Sequence, residues 1–299
     1  MKFKPMLLSN DAYDITRLNY ESMFISKKRD GIRAEVDNTG IKNRSLKILR
    51  NKNIQNFFKS YWESLPEGIT IEAEIYSDTT PLRKMGGICN SLDHEVPLDT
   101  KLYIFGMYDP DATFEERMSI IKELEEQLPY NDKVIIVEQI KVNSSEEALK
   151  YYNEFIKEGF EGAVMMDGTK KYKQGRLTIK QHIGFKIKPE RTDDLRIIDV
   201  NERMENLNES KTNELGHSYK RNTVSNKAPT GIAATFNCLM DNGEETKVTI
   251  TGTEAERKAI WENKTDYIGR YAVVKSMDYG TKDKLRHPRL ITIKDSIEK

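Results

Sequence analysis

Cysteine is scarce: only Cys89 and Cys238 occur in 299 residues, too far apart to form a metal-ligand or redox motif. Both read as reduced thiols, which points to a cytoplasmic protein. Net charge is missing as well, since 48 Lys and Arg balance 48 Asp and Glu. Without a global basic field, any polyanion site must be built from local clusters. No run is long and apolar enough to span a bilayer. The N-terminal Met1-Lys2-Phe3-Lys4-Pro5-Met6-Leu7-Leu8 turns polar too soon for a secretory core. Internal repeats and low-complexity segments are also lacking. What remains is a chain long enough for two domains with proper cores.

What is present is a set of short charged motifs between apolar runs. Phe24-Ile25-Ser26-Lys27-Lys28-Arg29-Asp30-Gly31-Ile32-Arg33-Ala34 contains K-x-D-G-x-R. It reads as strand, tight turn, strand, a hairpin with Asp30-Gly31 at its tip. A lysine there projects from a fixed rim, which suits a nucleophile, and Asp30 and Arg33 can orient the amine and a sugar or phosphate. Asn43-Arg44-Ser45 follows. Ile54, Phe57, Phe58, Tyr61 and Leu65 recur at helical spacing, so residues 52–64 are expected to be a helix closed by Pro66. Thr70–Tyr76 alternates as a strand, with Glu72 and Glu74 on one face. Leu102–Tyr108 is an apolar, central strand carrying Phe105.

Thr113-Phe114-Glu115-Glu116 spells a helix-opening capping box, and Ser144-Ser145-Glu146-Glu147 opens another helix. Lys133–Val142 between them is read as one strand. Glu161–Met166 is a strand headed by a carboxylate, Tyr172–Arg176 a basic loop, and Ile183–Pro189 a strand with Lys186 and Lys188 on one face. Texture changes after Pro189. Glu190–Asp194 reads as a hinge, and Leu195–Val200 as a strand. Residues 201–229 are polar, with Lys211, Lys220, Arg221 and Lys227 and little core. Gly231–Met240 and Thr246–Thr251 flank a hairpin turn, Thr253–Glu256 caps a short helix, and Tyr271–Ser276 and Leu290–Lys294 follow. Five strands and one helix fit a small OB-type barrel, a fold that often handles nucleic acid.

These residue types suit phosphoryl transfer if they converge. A lysine nucleophile must lose a proton that a free lysine holds to about 10.4. Neighbouring cations such as Lys186 and Lys188, or a metal, would ease that loss and hold phosphate oxygens. Glu161 and Glu74 are hard oxygen ligands for magnesium or a ribose hydroxyl. Phe105 offers a stacking face, and Arg44 and Arg176 can clamp phosphate as forks. Singly, each has a plainer reading. Phe105 is plain core, Glu74 and Glu161 are solvated, and Lys186 and Lys188 guard a sheet edge. The plain readings weaken when all must hold together in one order.

That order (KRDGIR, NRS, EAEI, YIFG, GFEGAVM, KYKQGR, FKIK, RHPR) resembles the covalent nucleotidyltransferase superfamily. The likeness is greatest to ATP-dependent DNA ligases of the small, Chlorella virus type. WENK with YIG, then Gly280-Thr281-Lys282-Asp283, add to it near the C-terminus. The resemblance implies an α+β fold in two domains. Residues 1–189 would form an adenylyltransferase domain of ATP-grasp-like mixed antiparallel sheets with helices. Residues 190–299 would form an OB-fold domain with a latch-like DNA-binding insertion at about 201–229.

It further implies ATP and Mg2+ (or Mn2+) as cofactors and nicked duplex DNA as partner, encircled by a monomer, with no membrane. Lys28 would be the nucleophile, and Lys186 and Lys188 would serve the α-phosphate. Ser26, Arg33 and Glu74 would hold the nucleotide, Phe105 would stack adenine, and Glu161 with Glu74 would serve metal. Arg44, Arg176, Lys220 and Arg221 would meet DNA, and Arg286 would orient pyrophosphate. The alternative within the superfamily is an RNA ligase or an mRNA-capping guanylyltransferase. Ala73, Gly106, Met166 and Lys294 depart from the family pattern, as does Lys27 just before the nucleophile.

Overall fold

A computed structural model of the protein describes residues 3–9, 14–212, 218–223, 226–279 and 285–296. The chain divides into two compact units, Met1–Lys188 and Pro189–Lys299. The first unit begins with β1 (Met23–Lys28), β2 (Ile32–Asp37), β3 (Gly40–Asn43), α1 (Lys52–Phe57) and α2 (Lys59–Trp62). Next come β4 (Ile71–Tyr76), α3 (Leu82–Asn90), β5 (Lys101–Met107), α4 (Phe114–Gln127) and β6 (Val134–Ile136). It ends with β7 (Ile140–Val142), α5 (Ser145–Lys157), β8 (Gly162–Asp167) and β9 (Gly184–Ile187). The strands form two sheets, β3-β2-β4-β5-β6 and β7-β1-β8-β9.

That division corrects the hairpin expected around Asp30-Gly31. β1 pairs with β7 and β8, whereas β2 pairs with β3 and β4. Arg29-Asp30-Gly31 is thus a crossing from one sheet to the other, and Lys28 sits at the seam. Lys133–Val142 likewise splits: β6 lies parallel to β5 in one sheet, and β7 antiparallel to β1 in the other. The expected helix over 52–64 breaks at Phe58, yet Ile54, Phe58, Tyr61 and Leu65 are all buried, as its stripe requires. α3 carries Gly86 and Gly87, whose poor helix propensity hid it from pattern reading. The capping box at Thr113 and the Ser144 cap are formed. Alternation on β4 buries Ile71, Ala73 and Ile75 completely and turns Glu72 and Glu74 to the other face.

The second unit contains β10 (Arg191–Asn206), β11 (Ser210–Thr212), β12 (Ser218–Lys220) and β13 (Lys227–Leu239). β14 (Glu245–Thr249), α6 (Glu254–Glu262), β15 (Tyr271–Tyr279) and β16 (Leu285–Lys294) complete it. Strands β10-β13-β14-β16-β15 close a barrel around Leu195, Ile197, Phe236, Val248, Ala272 and Val274. The stretch expected as a hinge is mostly strand, because Arg191 to Asp194 pair with Ser276 to Val273 of β15. The polar stretch 201–229 is not loop throughout. β10 and β13 stay paired out to Asn206 and Lys227, and β11 and β12 form a small hairpin beyond. Its alternation is invisible because both faces are polar. Residues 213–217 and 224–225 of that stretch, and the Gly280-Thr281-Lys282-Asp283 motif, lie outside the described residues. Among the described residues, no helix is long and apolar enough to cross a membrane.

Candidate active site

Register brings the expected chemistry together on β1, β8 and β9. Lys28 pairs with Gly162, and Ser26 pairs with Val164, which pairs in turn with Lys186. Glu161 stands just before Gly162, and its amide donates to the Lys28 carbonyl at 3.0 Å. Side chains two residues apart share a face. The Lys28 ammonium therefore meets Glu161 Oε2 at 2.5 Å, while Lys188 takes Oε1 of the same carboxylate. Burial pushes the Glu161 carboxyl up, but Lys28 and Lys188 outweigh it and hold it below the ordinary carboxylate range. Lys186 is pushed down to about 8, by burial first and then by the charges of Lys28, Lys188 and Arg176. Gly162 admits this arrangement. Its φ is +154°, and a Cβ there would lie 2.1 Å from the Ile187 carbonyl oxygen.

The other sheet supplies the opposite wall. Arg33 pairs with Glu74, and Glu74 with Tyr103. Between the pairs Glu72–Gly106 and Ala73–Ile104 the register shifts, leaving Phe105 as the extra residue of a bulge. Phe105 and Gly106 consequently both line the cavity, although simple alternation would separate them. The cavity holds about 400 Å³ and is also lined by Ser26, Lys28, Glu74, Arg44, Arg176 and Lys186. That size falls within the roughly 300–1,000 Å³ of small-ligand sites. Burial takes the Glu74 carboxyl up to about 7, against the pull of Lys28 and Arg33.

Arg33 is held by the protein itself. Its Nε donates to Glu35 at 2.8 Å, its Nη1 to the Met6 carbonyl at 2.9 Å, and its Nη2 to Glu72. Tyr172 Oη donates to Glu72 at 2.6 Å and accepts from the Met6 amide at 2.6 Å. Residues 4–8 are strapped along the basic loop, with the Leu7 amide on the Gly175 carbonyl at 2.9 Å and the Leu177 amide on the Leu7 carbonyl at 2.8 Å. Arg29 lays its guanidinium 3.6 Å from the centre of the Tyr103 ring, beside Phe160 at 4.8 Å. Lys27 is taken by Glu158 at 2.5 Å and lies over the Phe155 and Phe160 rings. Sequence reasoning missed Glu35, Tyr172 and Arg117 as parts of this wall. Only a buried charge demanding partners could have signalled them.

Burial and the neighbouring Glu72 charge push the Glu35 carboxyl up to about 8, despite Arg33. Glu35 and Glu74 thus keep a proton in the folded chain where the unfolded chain has lost it. Their contribution to stability is whole below the ordinary value of 4.5 and is lost as pH rises through about 7 and 8. Glu35→Gln mimics the protonated acid. It should melt with the wild type at about pH 4 and a few degrees above it at about pH 8.5. A melting difference that is flat across that range would count against a buried ionisation at Glu35.

Arg44 and Arg176 are exposed at the cavity, and Arg176 Nη1 donates to the Leu8 carbonyl at 3.1 Å. Lys220, Arg221 and Arg286 belong to the second unit. Lys220 and Arg221 are exposed beside the β11–β12 hairpin, with Lys220 Nζ on the Asn206 carbonyl at 2.9 Å, and Arg286 lies on β16.

Lys28 on the Glu161 carboxylate, the Lys186 and Lys188 pair and the Phe105 bulge are thus brought to one side of the first unit. The family model described as ATP dependent DNA ligase domain matches residues 5–188, and the chain belongs to that family. A DNA ligase of African swine fever virus is 25% identical over 174 residues, 55% of this chain. The aligned part spans 41% of that relative's length. Among solved structures, a Lig E DNA ligase aligns with TM-score 0.73 at 17% identity, covering 97% of this chain and 99% of the other. The adenylated Chlorella virus DNA ligase aligns with TM-score 0.55 at 24% identity, covering 99% of each. These structures share the α+β fold of two units.

Proposed function

We propose that this chain is an ATP-dependent DNA ligase that seals 5′-phosphate/3′-hydroxyl nicks in duplex DNA. The observation that carries the reading is the Lys28 amine, held 2.5 Å from Glu161 in the cavity that Lys186, Glu74 and Phe105 line. The ammonium sheds one proton, and Lys28 Nζ bonds to the α-phosphorus of ATP. The bond to the bridging oxygen breaks, pyrophosphate leaves, and the nitrogen loses a second proton, giving a lysyl-AMP phosphoramidate. Lys186 and Lys188 stabilise charge building on the phosphate oxygens. Ser26, Arg33 and Glu74 line the sugar side, and Phe105 stacks the base. AMP then passes to the 5′-phosphate of the nick, and the 3′-hydroxyl displaces it. Arg44 and Arg176, exposed at the cavity, suit the nick phosphate.

Among the described residues no three metal-ligating side chains cluster, so a divalent ion would rest on Glu161, Glu74, phosphate oxygens and water. That set of hard oxygen donors fits magnesium, which keeps several waters. When bound, the ion would neutralise phosphate charge. Residues 1–189 serve as the adenylyltransferase domain and 190–299 as the OB-fold domain. The second unit's Lys220 and Arg221 grip duplex DNA, so that a monomer encircles it, and Arg286 orients pyrophosphate in the first step.

Incubating the protein with ATP, magnesium and a duplex carrying one 5′-phosphorylated nick should yield a sealed strand resistant to phosphatase. A nicked RNA duplex and labelled GTP run alongside. Sealing of RNA alone, or labelling by GTP alone, would replace this reading with an RNA ligase or a capping guanylyltransferase.

A further inference from the structure

The cavity has a charged end that the chemistry above does not use. Glu72 is 3% exposed and holds Arg33 and Tyr172 through Oε1 only. Its Oε2 accepts no hydrogen bond among the described residues and lies over Gly106, where a Cβ would stand 3.0 Å away. Gly106 is the residue paired with Glu72 across β4 and β5, so the missing side chain is what bares this oxygen to the cavity. Beside it is Arg117, 1% exposed, which also lines the cavity. Its Nη1 donates to the Ala112 carbonyl at 2.7 Å, its Nε has no partner, and no carboxylate is within ion-pair distance among the described residues. The Oε2 side of the Glu72 carboxylate and a buried guanidinium whose Nε has no partner thus face one small space, with the Phe114 and Tyr172 rings 5.8 and 5.3 Å from the Arg117 guanidinium. Such groups cost free energy unless a ligand completes them.

Their position says which part of a ligand they meet. Lys28 and Glu161 mark the phosphate end at the start of β8. Val164 and then Met166 lead away from it on one wall, and Phe105 and then Gly106 line the other. A base stacked on Phe105 with its sugar toward Lys28 would have Gly106, and with it Glu72 and Arg117, beyond its far edge. Adenine carries an amino donor at N6 beside a ring-nitrogen acceptor, whereas guanine carries the O6 acceptor at that place, beside an N–H donor. We propose that Glu72 Oε2 and the Arg117 guanidinium read the base edge and select adenine over guanine, an assignment that rests on the nucleotide reading of the cavity. Glu72 accepts from the amino group, and Arg117 donates to a ring nitrogen. Guanine would set oxygen against carboxylate and N–H against guanidinium.

The test is the ratio of kcat/KM for protein labelling by ATP and by GTP, read from the labelled protein band without DNA. Wild type should prefer ATP by ~100-fold or more, because mismatched buried polar groups reject strongly. Glu72→Gln still accepts from Arg33 and Tyr172, but its amide can also donate to O6. The preference should fall ~10-fold or more, with thermal melting confirming the fold. Arg117→Met should lower it as well. If Glu72→Gln does not fold, Gly106→Ala replaces it, displacing Oε2 alone and giving a smaller fall in the same direction. A purely structural role would lower both rates together and leave the ratio alone. A ratio unmoved in folded, labelling-competent variants overturns the assignment by itself. No labelling of wild type by any nucleotide overturns the nucleotide reading and this assignment with it.

Discussion

Lys28→Ala is expected to leave no AMP on the protein after incubation with ATP and magnesium, and to lower nick sealing by at least ~10⁴-fold, as loss of a covalent nucleophile does. Lys27→Ala is expected to keep the adduct within a few-fold of wild type. The difference follows from where the two amines go. Lys28 is drawn into the cavity by Glu161, whereas Lys27 is fixed to Glu158 over the Phe155 and Phe160 rings. Denaturing electrophoresis with labelled ATP reads both variants directly. The reverse pattern, with the band lost in Lys27→Ala and kept in Lys28→Ala, would show that the nucleophile had been assigned to the wrong lysine. Lys28→Ala should still seal a nick supplied already carrying AMP, since the last step needs no lysine nucleophile. Failure there, with the fold intact, would mean that Lys28 acts beyond forming the adduct.

Gly162→Ala should be nearly as damaging, through geometry rather than chemistry. A methyl group at position 162 would sit 2.1 Å from the Ile187 carbonyl oxygen, and the φ of +154° is one that side chains rarely adopt. The obstacle is backbone, so no rotamer change relieves it. β8 and β9 must separate, and their pairing is what sets Lys186 and Lys188 beside Glu161. We expect a loss of about 3 kcal/mol in stability by denaturant unfolding. Adduct formation should fall ~100-fold or more even at a temperature where the variant is folded, since displaced electrostatic groups cost that much. Gly175→Ala is the contrast. Its φ is also positive, but nothing lies within 4 Å of the added methyl, so only backbone strain opposes it. Equal damage from both substitutions would show that conformational strain, not the clash with β9, governs position 162.

Lys186 and Lys188 were legible as a pair because strand alternation puts them on one face, while Lys28 and Glu161 were picked out by their motifs, and the observed registers bring the four together. The three helix caps were legible because their hydrogen bonds are local. Pairing partners were not local, and there the reading failed. Asp30-Gly31 looks like a hairpin tip, yet it joins two sheets, a choice made by β7 and β8 arriving from far along the chain. Phe105 suggested stacking, but the bulge that aims it depends on β4. Glu35 carries no motif, and Tyr172, inside KYKQGR, reads only as part of a basic loop. They belong to the shell of the buried Arg33: its guanidinium donates to Glu35 and Glu72, and Tyr172 donates to Glu72.

Met6 offers its carbonyl to Arg33 and its amide to Tyr172, while Leu7 threads between Gly175 and Leu177. The opening residues are therefore stitched into the rim of the cleft. Trimming the chain back past Ser9 would remove the Met6 carbonyl from Arg33 and the Met6 amide from Tyr172, leaving Arg33 on Glu35 and Glu72 alone.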